Sequence, residues 1–172
     1  MKGNKMSVYH IVINPAGASG RTNECWDIIK KELDTIGVDY EVHLSTLEHG
    51  IKEIMQELTS TNERVNIILI GGDGSMNLAV NGIVNFEKTY LGLIPCGSGN
   101  DLAKSLGIHG TEIECLHRIL NDQNGKDLDV GVLTYHTRYD EKGNKVSDEP
   151  YSRRYNISSG IGYDAAISEQ VQ

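Results

Sequence analysis

Apolar residues along the chain follow two spacings, one typical of strands and the other typical of helices. Short apolar runs rich in β-branched residues predict buried strands, and apolar residues at three- and four-residue steps predict helices after them. The predicted strands are Val8–Ile13, Asp39–Leu44, Val65–Ile70 and Leu91–Ile94. Strands that alternate with helices over short loops form a parallel sheet with helices on both faces. The pattern therefore predicts an α/β fold with a Rossmann-like sheet.

The predicted helices carry local signals for their ends. Gly37 closes the helix that begins at Arg21, because glycine readily takes the left-handed conformation found after helices. Thr111, with Glu114 three residues later, predicts a capping box at the start of another helix. The other helices are predicted over Gly50–Ser60, after Ser75 and after Asp101.

The helical spacing stops near residue 125. Asp129–Tyr135 and Arg154–Ser158 predict strands, and the polar segment Thr137–Pro150 between them predicts a long hairpin. A Lys142-Gly143-Asn144 turn signal lies within that segment. We therefore expect an α/β domain over residues 1–125, followed by the opening strands of a β-rich second domain over residues 126–172.

Composition limits the partners of the chain. The net charge is −8 and the pI is near 5.2, so we expect no nucleic-acid partner. A bound anion must then be held by backbone amides, helix N-termini or a metal ion. The sequence has neither a long apolar stretch nor an apolar N-terminal run, which predicts no membrane span and no signal peptide and favours a cytoplasmic location.

The cysteines and histidines give no local metal or disulfide pattern. The sequence has three widely spaced cysteines, Cys25, Cys96 and Cys115. An odd number at such spacing predicts reduced thiols rather than a disulfide framework or a zinc site. The histidines lack metal-ligand spacing, and we expect them at the surface or at edges of the fold. They are residues 10, 43, 49, 109, 117 and 136.

Glycines cluster in three loops, and the segment Gly71-Gly72-Asp73-Gly74-Ser75 gives the sharpest signal. It lies between a buried strand and a helix, where backbone N–H groups and the helix N-terminus can hold phosphate. Asp73 can bind Mg²⁺, directly or through water, or orient a nucleotide or a substrate hydroxyl. The alternative is a tight strand-to-helix turn with an aspartate near the cap.

Two further loops follow predicted strands. In Pro95–Asp101, Ser98 can donate its hydroxyl to a phosphate, and Asn100 or Asp101 can cap the next helix. The loop Asn14–Gly20 has ordinary loop chemistry. The carboxyl ends of parallel strands lie at one edge, so we expect the three loops to converge. The sequence contains neither a G-x-x-x-x-G-K-[ST] phosphate loop nor a G-x-G-x-x-G dinucleotide motif after the first strand.

The order of these motifs resembles the diacylglycerol kinase catalytic-domain family, which includes bacterial lipid kinases, sphingosine kinases and ceramide kinases. The matching segments are Asn14-Pro15-Ala16-Gly17, Gly71–Ser75, Pro95–Ala103 and Ser159-Gly160 to Asp164. There are two departures. Ser75 replaces a commoner threonine and keeps its hydroxyl, and Cys96 replaces a commoner leucine.

The resemblance implies ATP bound across the loops and Mg²⁺-assisted transfer of its γ-phosphoryl group to a lipid hydroxyl, such as that of diacylglycerol. It implies a catalytic role for Asp73 and assigns no metal ligand. The residues that it implies for nucleotide binding lie in or beside the loops: Asn14, Pro15, Ala16, Gly17, Ala18, Thr46, Gly71, Gly72, Asp73, Gly74, Ser75, Met76, Asn77, Gly97 and Ser98.

Members of the family are two-domain proteins, and their β-rich second domain supplies part of the lipid and metal sites. We therefore expect this chain to end before the lipid-side domain is complete. The resemblance implies a nucleotide and a lipid at the membrane surface as partners, and unpaired strand edges suggest a homo-oligomer formed through the β-rich segment. Two alternatives stay open: an NAD-kinase-like small-molecule kinase, and a non-enzymatic nucleotide-binding regulatory module.

Overall fold

The computed structural model describes residues 8–122, 124–140 and 142–157, apart from the side chains of residues 18 and 19. The described chain forms two compact units that divide between Leu128 and Asp129. The predicted domain boundary between residues 125 and 126 stays a prediction. The strands of the first unit are β1 (Tyr9–Ile13), β2 (Tyr40–Leu44), β3 (Val65–Gly71) and β4 (Thr89–Pro95). Its helices are α1 (Arg21–Ile36), α2 (Ile51–Thr59), α3 (Asp73–Gly82), α4 (Asp101–Ser105) and α5 (Glu112–Asn121), with 3₁₀ turns at Gly17–Gly20 and Phe86–Lys88.

The four strands of the first unit form one parallel sheet in the order β2-β1-β3-β4. Their carboxyl ends are aligned. Ile13 lies opposite both Leu44 and Ile70, and Gly71 lies opposite Pro95. The loops that follow the strands therefore emerge at the same edge of the sheet. This arrangement confirms the predicted α/β fold.

Helices cover both faces of the sheet. Every position of β3 is buried, as expected for a central parallel strand. On one face, Ile11 and Ile68 pack in a buried cluster with Ile29 of α1 and Leu116 of α5. Helices α2 and α3 pack on each other on the opposite face. There Gly82 comes so close to α2 that an added Cβ would collide with the Lys52 carbonyl oxygen.

Two predicted helix ends are confirmed in detail. Gly37 follows α1 with a φ of 69°, and its N–H donates to the Leu33 carbonyl at 3.0 Å. At the start of α5, the Glu114 N–H donates to the Thr111 hydroxyl and the Thr111 N–H donates to the Glu114 carboxylate. The hydrogen bonds from Thr111 hold the pKa of Glu114 below its ordinary value.

Helix α4 ends at Ser105, and Leu106 after it is 47% exposed. One predicted strand has different bounds in the structure. The last strand was predicted at Arg154–Ser158 but runs over Tyr151–Tyr155. Its register explains the shift, since Tyr151 pairs with Tyr135 and the Ser152 and Thr134 hydroxyls are 2.8 Å apart.

The second unit consists of antiparallel strand pairs. Strand β5 (Gly131–Tyr135) pairs with β8 (Tyr151–Tyr155), and β6 (Arg138–Tyr139) pairs with β7 (Lys145–Ser147). The Asp140 carboxylate closes the predicted turn by accepting the N–H groups of Lys142 and Asn144. The long hairpin is therefore confirmed. The segment from Ser159 to Asp164 lies outside the described residues.

The cysteine prediction was wrong for two of the three thiols. Cys25 in α1 and Cys96 after β4 form a disulfide, with their Cα atoms 6.8 Å apart. They are separated by 71 positions in the sequence, so local spacing carries no signal for the pair. Cys115 is buried and unpaired, and burial raises the pKa of its thiol. None of the described helices combines the length and apolar character that a bilayer span requires.

Candidate functional site

The loops at the carboxyl edge are joined to one another by backbone hydrogen bonds. The Ser45 N–H, at the end of β2, donates to the Ile13 carbonyl at 2.9 Å. The Cys96 N–H, at the end of β4, donates to the Gly71 carbonyl at 2.9 Å. Each bond links a loop to the end of a neighbouring strand. The predicted site residues that follow β1, β2, β3 and β4 are thus held side by side.

The two glycine-rich loops after β3 and β4 touch through their backbones. A Cβ added at Gly72 would lie 2.8 Å from the Cα of Gly97, and one added at Gly97 would lie 2.6 Å from the Cα of Gly72. The φ of Gly72 is −106°, which any residue can adopt. The requirement for glycine therefore comes from the close approach of the two loops.

The Asp73 carboxylate joins the same two loops. Asp73 is the first residue of α3, and its carboxylate accepts the N–H groups of Asp101 at 2.9 Å and Leu102 at 3.2 Å. These are the first two N–H groups of α4, so the side chain caps a helix that begins 28 positions later. Each carboxylate oxygen has a second acceptor site, which a cation or a water can use.

Asn100 shapes the loop after β4. It has a left-handed backbone, with a φ of 54°. Its side-chain oxygen accepts the Gly97 N–H at 2.9 Å, and its side-chain nitrogen donates to the Gly97 carbonyl at 2.7 Å. Of the two predicted caps, Asn100 is the N-cap residue of α4, but its side chain makes no capping hydrogen bond, because Asp73 accepts the first N–H groups of the helix. Asp101 pairs with Lys104 at 3.2 Å.

The start of α3 offers backbone donors to an anion. The first intrahelical bond runs from the Met76 N–H to the Gly72 carbonyl at 3.0 Å. The N–H groups from Gly72 to Ser75 accordingly have no partner inside the helix. Gly74 is exposed, and a Cβ added there would meet nothing within 4 Å. This arrangement suits a negatively charged group, which the helix N-terminus also favours.

The other predicted residues near α3 differ in accessibility. Ser75 and Met76 are buried, with 8% and 6% of their surfaces exposed. The Met76 side chain therefore lies in the core, and its N–H is already used. Asn77 is partly buried, and its carbonyl accepts the Asn81 side-chain amide at 2.8 Å. Ser98 is exposed, on the loop after β4.

The loop after β1 is organised by Asn14. Its side-chain oxygen accepts the Ala16 N–H at 3.1 Å, and its carbonyl accepts the Gly17 N–H at 3.0 Å. From α1, the Thr22 hydroxyl donates to the Gly17 carbonyl at 3.1 Å. The Asn23 amide donates to the Pro15 carbonyl at 3.4 Å. Ala18 lies within the 3₁₀ turn that follows.

Thr46 lies in a tight turn after β2. Its N–H donates to the His49 carbonyl at 2.8 Å, and its hydroxyl oxygen accepts the His49 N–H at 3.0 Å. The hydroxyl hydrogen remains able to donate to a ligand. Thr46 is exposed at the same edge as the glycine loops.

Sequence reasoning missed Thr22 and Asn23, which brace the first loop, and it did not predict that Asn100 braces the loop after β4. The sequence signal that could have identified them is their position beside the loops. Each is a short polar residue in the turn beside a glycine loop, where such side chains commonly bond to nearby backbone.

Known proteins match the chain in both sequence and fold. A family model described as "Diacylglycerol kinase catalytic domain" matches residues 8–133. The "Putative lipid kinase YtlR" of Bacillus subtilis (strain 168) is 32% identical over 96% of the chain and 51% of its own length. The "Diacylglycerol kinase" of the same organism is 33% identical over 72% of the chain and 41% of its own length. Human "Sphingosine kinase 2" is 27% identical over 58% of the chain and 16% of its own length.

A solved structure has the same fold. The "putative diacylglycerol kinase from Bacillus anthracis str. Sterne" superposes with a TM-score of 0.55 and 24% identity, over 75% of this chain and 44% of that one. The chain thus spans about half or less of the length of these relatives.

Proposed function

Because the chain belongs to the diacylglycerol kinase catalytic-domain family, we propose that it is the nucleotide-binding part of an ATP-dependent lipid kinase. The proposed reaction transfers the γ-phosphoryl group of ATP to a lipid hydroxyl, such as that of diacylglycerol. One observation carries the proposal: two glycine loops lie backbone to backbone at the carboxyl edge of the sheet, beside the N-terminus of α3. The relatives named above are kinases by description, which agrees with this reaction class.

The site suits a polyphosphate held by backbone groups. None of the three loops contains lysine or arginine, and the chain carries a net charge of −8. The N–H groups from Gly72 to Ser75 are the donors that we propose for the phosphates. Asn14–Ala18, Thr46, Gly97 and Ser98 are proposed to contact the rest of the nucleotide. Gly71, Met76 and Asn77 are proposed to shape the start of α3, since the Met76 side chain is buried and its N–H already donates to the Gly72 carbonyl.

Asp73 is proposed to have two tasks. Its carboxylate keeps the loop after β4 against α3, which fixes the distance between the proposed phosphate donors and Ser98. Its remaining acceptor sites are oriented by those same hydrogen bonds and can hold a Mg²⁺-bound water or the substrate hydroxyl. Mg²⁺ would supply neutralisation of phosphate charge, and positioning together with charge neutralisation is the main source of rate in phosphoryl transfer.

The proposed acceptor is a lipid at a membrane surface that the protein approaches from the cytosol. We propose that residues beyond about 125 belong to the side of the protein that meets the lipid. The names of the relatives, which are described as lipid, diacylglycerol and sphingosine kinases, support this choice of acceptor class.

Two assays test the proposal. Isothermal titration with ATP and Mg²⁺ measures binding to the chain, and NAD in place of ATP tests the small-molecule kinase alternative. We expect ATP to bind and NAD to give no heat of binding. Transfer of labelled phosphate is then measured with diacylglycerol, sphingosine and NAD as acceptors. The protein used in this assay is one that spans the full length of the family members. Phosphorylation of NAD instead of a lipid would refute the lipid kinase proposal, and absence of ATP binding would refute the site itself.

A further inference from the structure

Two histidines and a glutamate meet on the sheet, away from the glycine loops. His10 belongs to β1, and Glu41 and His43 belong to β2. In the parallel register His10 lies opposite Glu41, and Val12 lies opposite His43. The three side chains therefore project from the same face of the sheet, because alternate residues of a strand share a face. Among the described residues they form the one group of three or more potential metal ligands whose ligand atoms all lie within 4.8 Å of one another.

Two ligand-atom distances in this group are close to those of a tetrahedral metal site. The His10 Nδ1 and His43 Nε2 atoms are 3.1 Å apart, and the His10 Nδ1 and Glu41 Oε2 atoms are 3.5 Å apart. Zinc bonds to imidazole nitrogen and carboxylate oxygen are about 2.0–2.2 Å long, so two ligands of a tetrahedral ion lie roughly 3.3–3.6 Å apart. A cation can thus occupy the space between the three atoms with small side-chain movements.

We propose that His10, Glu41 and His43 form a binding site for a divalent transition metal ion, with Zn²⁺ as the first candidate. Two imidazoles and a carboxylate are ligands that suit Zn²⁺, and three protein ligands leave a fourth position for water. Local spacing in the sequence does not indicate this site, because His10 and His43 lie on different strands and are 33 positions apart. The site is independent of the proposed kinase function.

Carboxylates around His43 favour metal binding. Glu41 and Glu57 both interact electrostatically with His43, and their negative charges attract a cation to the same place. Glu57 also pairs with His49 at 3.4 Å. A second carboxylate thus lies near the proposed ligands.

Metal binding would hold strand β2 against strand β1. Strand β2 is the last strand on its side of the sheet, next to β1. A metal ion shared by His10 and His43 would join the two strands through their side chains in addition to their backbone bonds. It would thereby hold the Thr46 turn, which directly follows β2, at a fixed distance from the end of β1.

The test is a titration with Zn²⁺ of chelator-treated chain that carries no histidine-containing tag. We expect one Zn²⁺ per chain by calorimetry, and visible absorption of tetrahedral type when Co²⁺ is used instead. Zn²⁺ at about 100 times its Kd should raise the Tm by roughly 5–10 °C. His10→Ala and His43→Ala should each weaken Zn²⁺ binding by at least about 10–100-fold, the loss seen even for outer ligand partners.

Matched variants separate metal binding from folding. His117 contacts Glu32 at 2.6 Å, and in the described part of the chain this pair belongs to no group of three ligands, so His117→Ala should leave Zn²⁺ binding unchanged. His10→Gln keeps a hydrogen-bonding side chain of similar reach, and circular dichroism in chelator checks that it folds. If Zn²⁺ leaves the wild-type Tm unchanged, the two imidazoles form only a hydrogen bond with each other and the proposal is wrong. Equal Zn²⁺ affinity in folded His10→Gln and wild-type chains would also overturn it.

Discussion

Replacing Gly72 with alanine tests whether the two glycine loops are held together by their backbone contact. The added Cβ would lie 2.8 Å from the Cα of Gly97, whereas carbon atoms in ordinary contact are about 3.5–4.0 Å apart. The backbone of Gly72 has no unusual conformation, so the substitution acts mainly through this collision. The loops must move apart by a large fraction of an ångström, or the collision must be borne as strain.

The size of the effect follows from the packing of the two loops. Forcing an extra methyl group into a packed region costs about 1–3 kcal/mol, and 1 kcal/mol corresponds to about 2–4 °C in Tm for a chain of this length. We therefore expect Gly72→Ala to lower the Tm by about 2–12 °C if the loops stay in place. If the loops separate instead, the Tm changes less. ATP affinity then falls, because the proposed phosphate donors and Ser98 no longer face the same ligand.

Gly74→Ala is the matched control. A Cβ at Gly74 meets nothing within 4 Å, and alanine is better than glycine in a helix by about 1 kcal/mol. This variant should keep or raise the Tm. Weaker ATP binding in Gly74→Ala at an unchanged Tm would indicate that phosphate approaches this position. Differential scanning calorimetry and ATP titration on both variants give the answer. An unchanged Tm together with an unchanged ATP affinity in Gly72→Ala would refute the reasoning.

Three further predictions concern other parts of the chain. Asp73→Asn leaves one oxygen for the two N–H groups of α4, so we expect the free energy of unfolding to fall by about 0.5–2 kcal/mol. In a kinase assay the same variant should show a large loss of kcat with a smaller change in ATP affinity. Asp101→Asn, which removes an exposed carboxylate nearby, should cause neither change. The lowered pKa of Glu114 stabilises the fold at pH values above the ordinary pKa of 4.5, and this stability is lost as the pH falls through the lowered pKa. The Tm difference between wild type and Glu114→Gln should therefore be constant near neutral pH and shrink in acid. A Tm difference that grows in acid would contradict the capping box. Thiol titration of the denatured chain should find one free thiol, that of Cys115, before reduction and three after reduction. The same number of free thiols before and after reduction would exclude the Cys25–Cys96 disulfide.

Features determined by neighbouring residues were predictable from the sequence. The continuous apolar run of β3 predicted a central strand because a parallel strand covered on both faces needs apolar side chains throughout. Gly37 and the Thr111–Glu114 pair fixed helix ends because their hydrogen bonds span only a few positions. Glycine loops after strands indicated the edge of the sheet where the candidate site lies, since all strands of such a sheet point the same way.

Features that depend on distant residues were not predictable. The contact of Gly72 with Gly97, and the hydrogen bonds of Asp73 to the start of α4, require the loops after β3 and β4 to lie side by side. The Cys25–Cys96 disulfide requires α1 to cross the sheet near the end of β4. Pattern analysis identified the strands but not their order or register, so it could not place these atoms together. The shifted last strand has the same origin, because its pairing with β5 determines its ends.

The contact between Gly72 and Gly97 also limits which second-site suppressors can exist. A side chain that collides with another side chain can be rescued by a smaller partner. Here an added Cβ collides with backbone on both sides, and neither glycine can be made smaller. A selection for revertants of Gly72→Ala should therefore return changes elsewhere in the loops, at residues that set their separation, such as Asn100. Suppressors at Gly97 itself should be absent from such a selection.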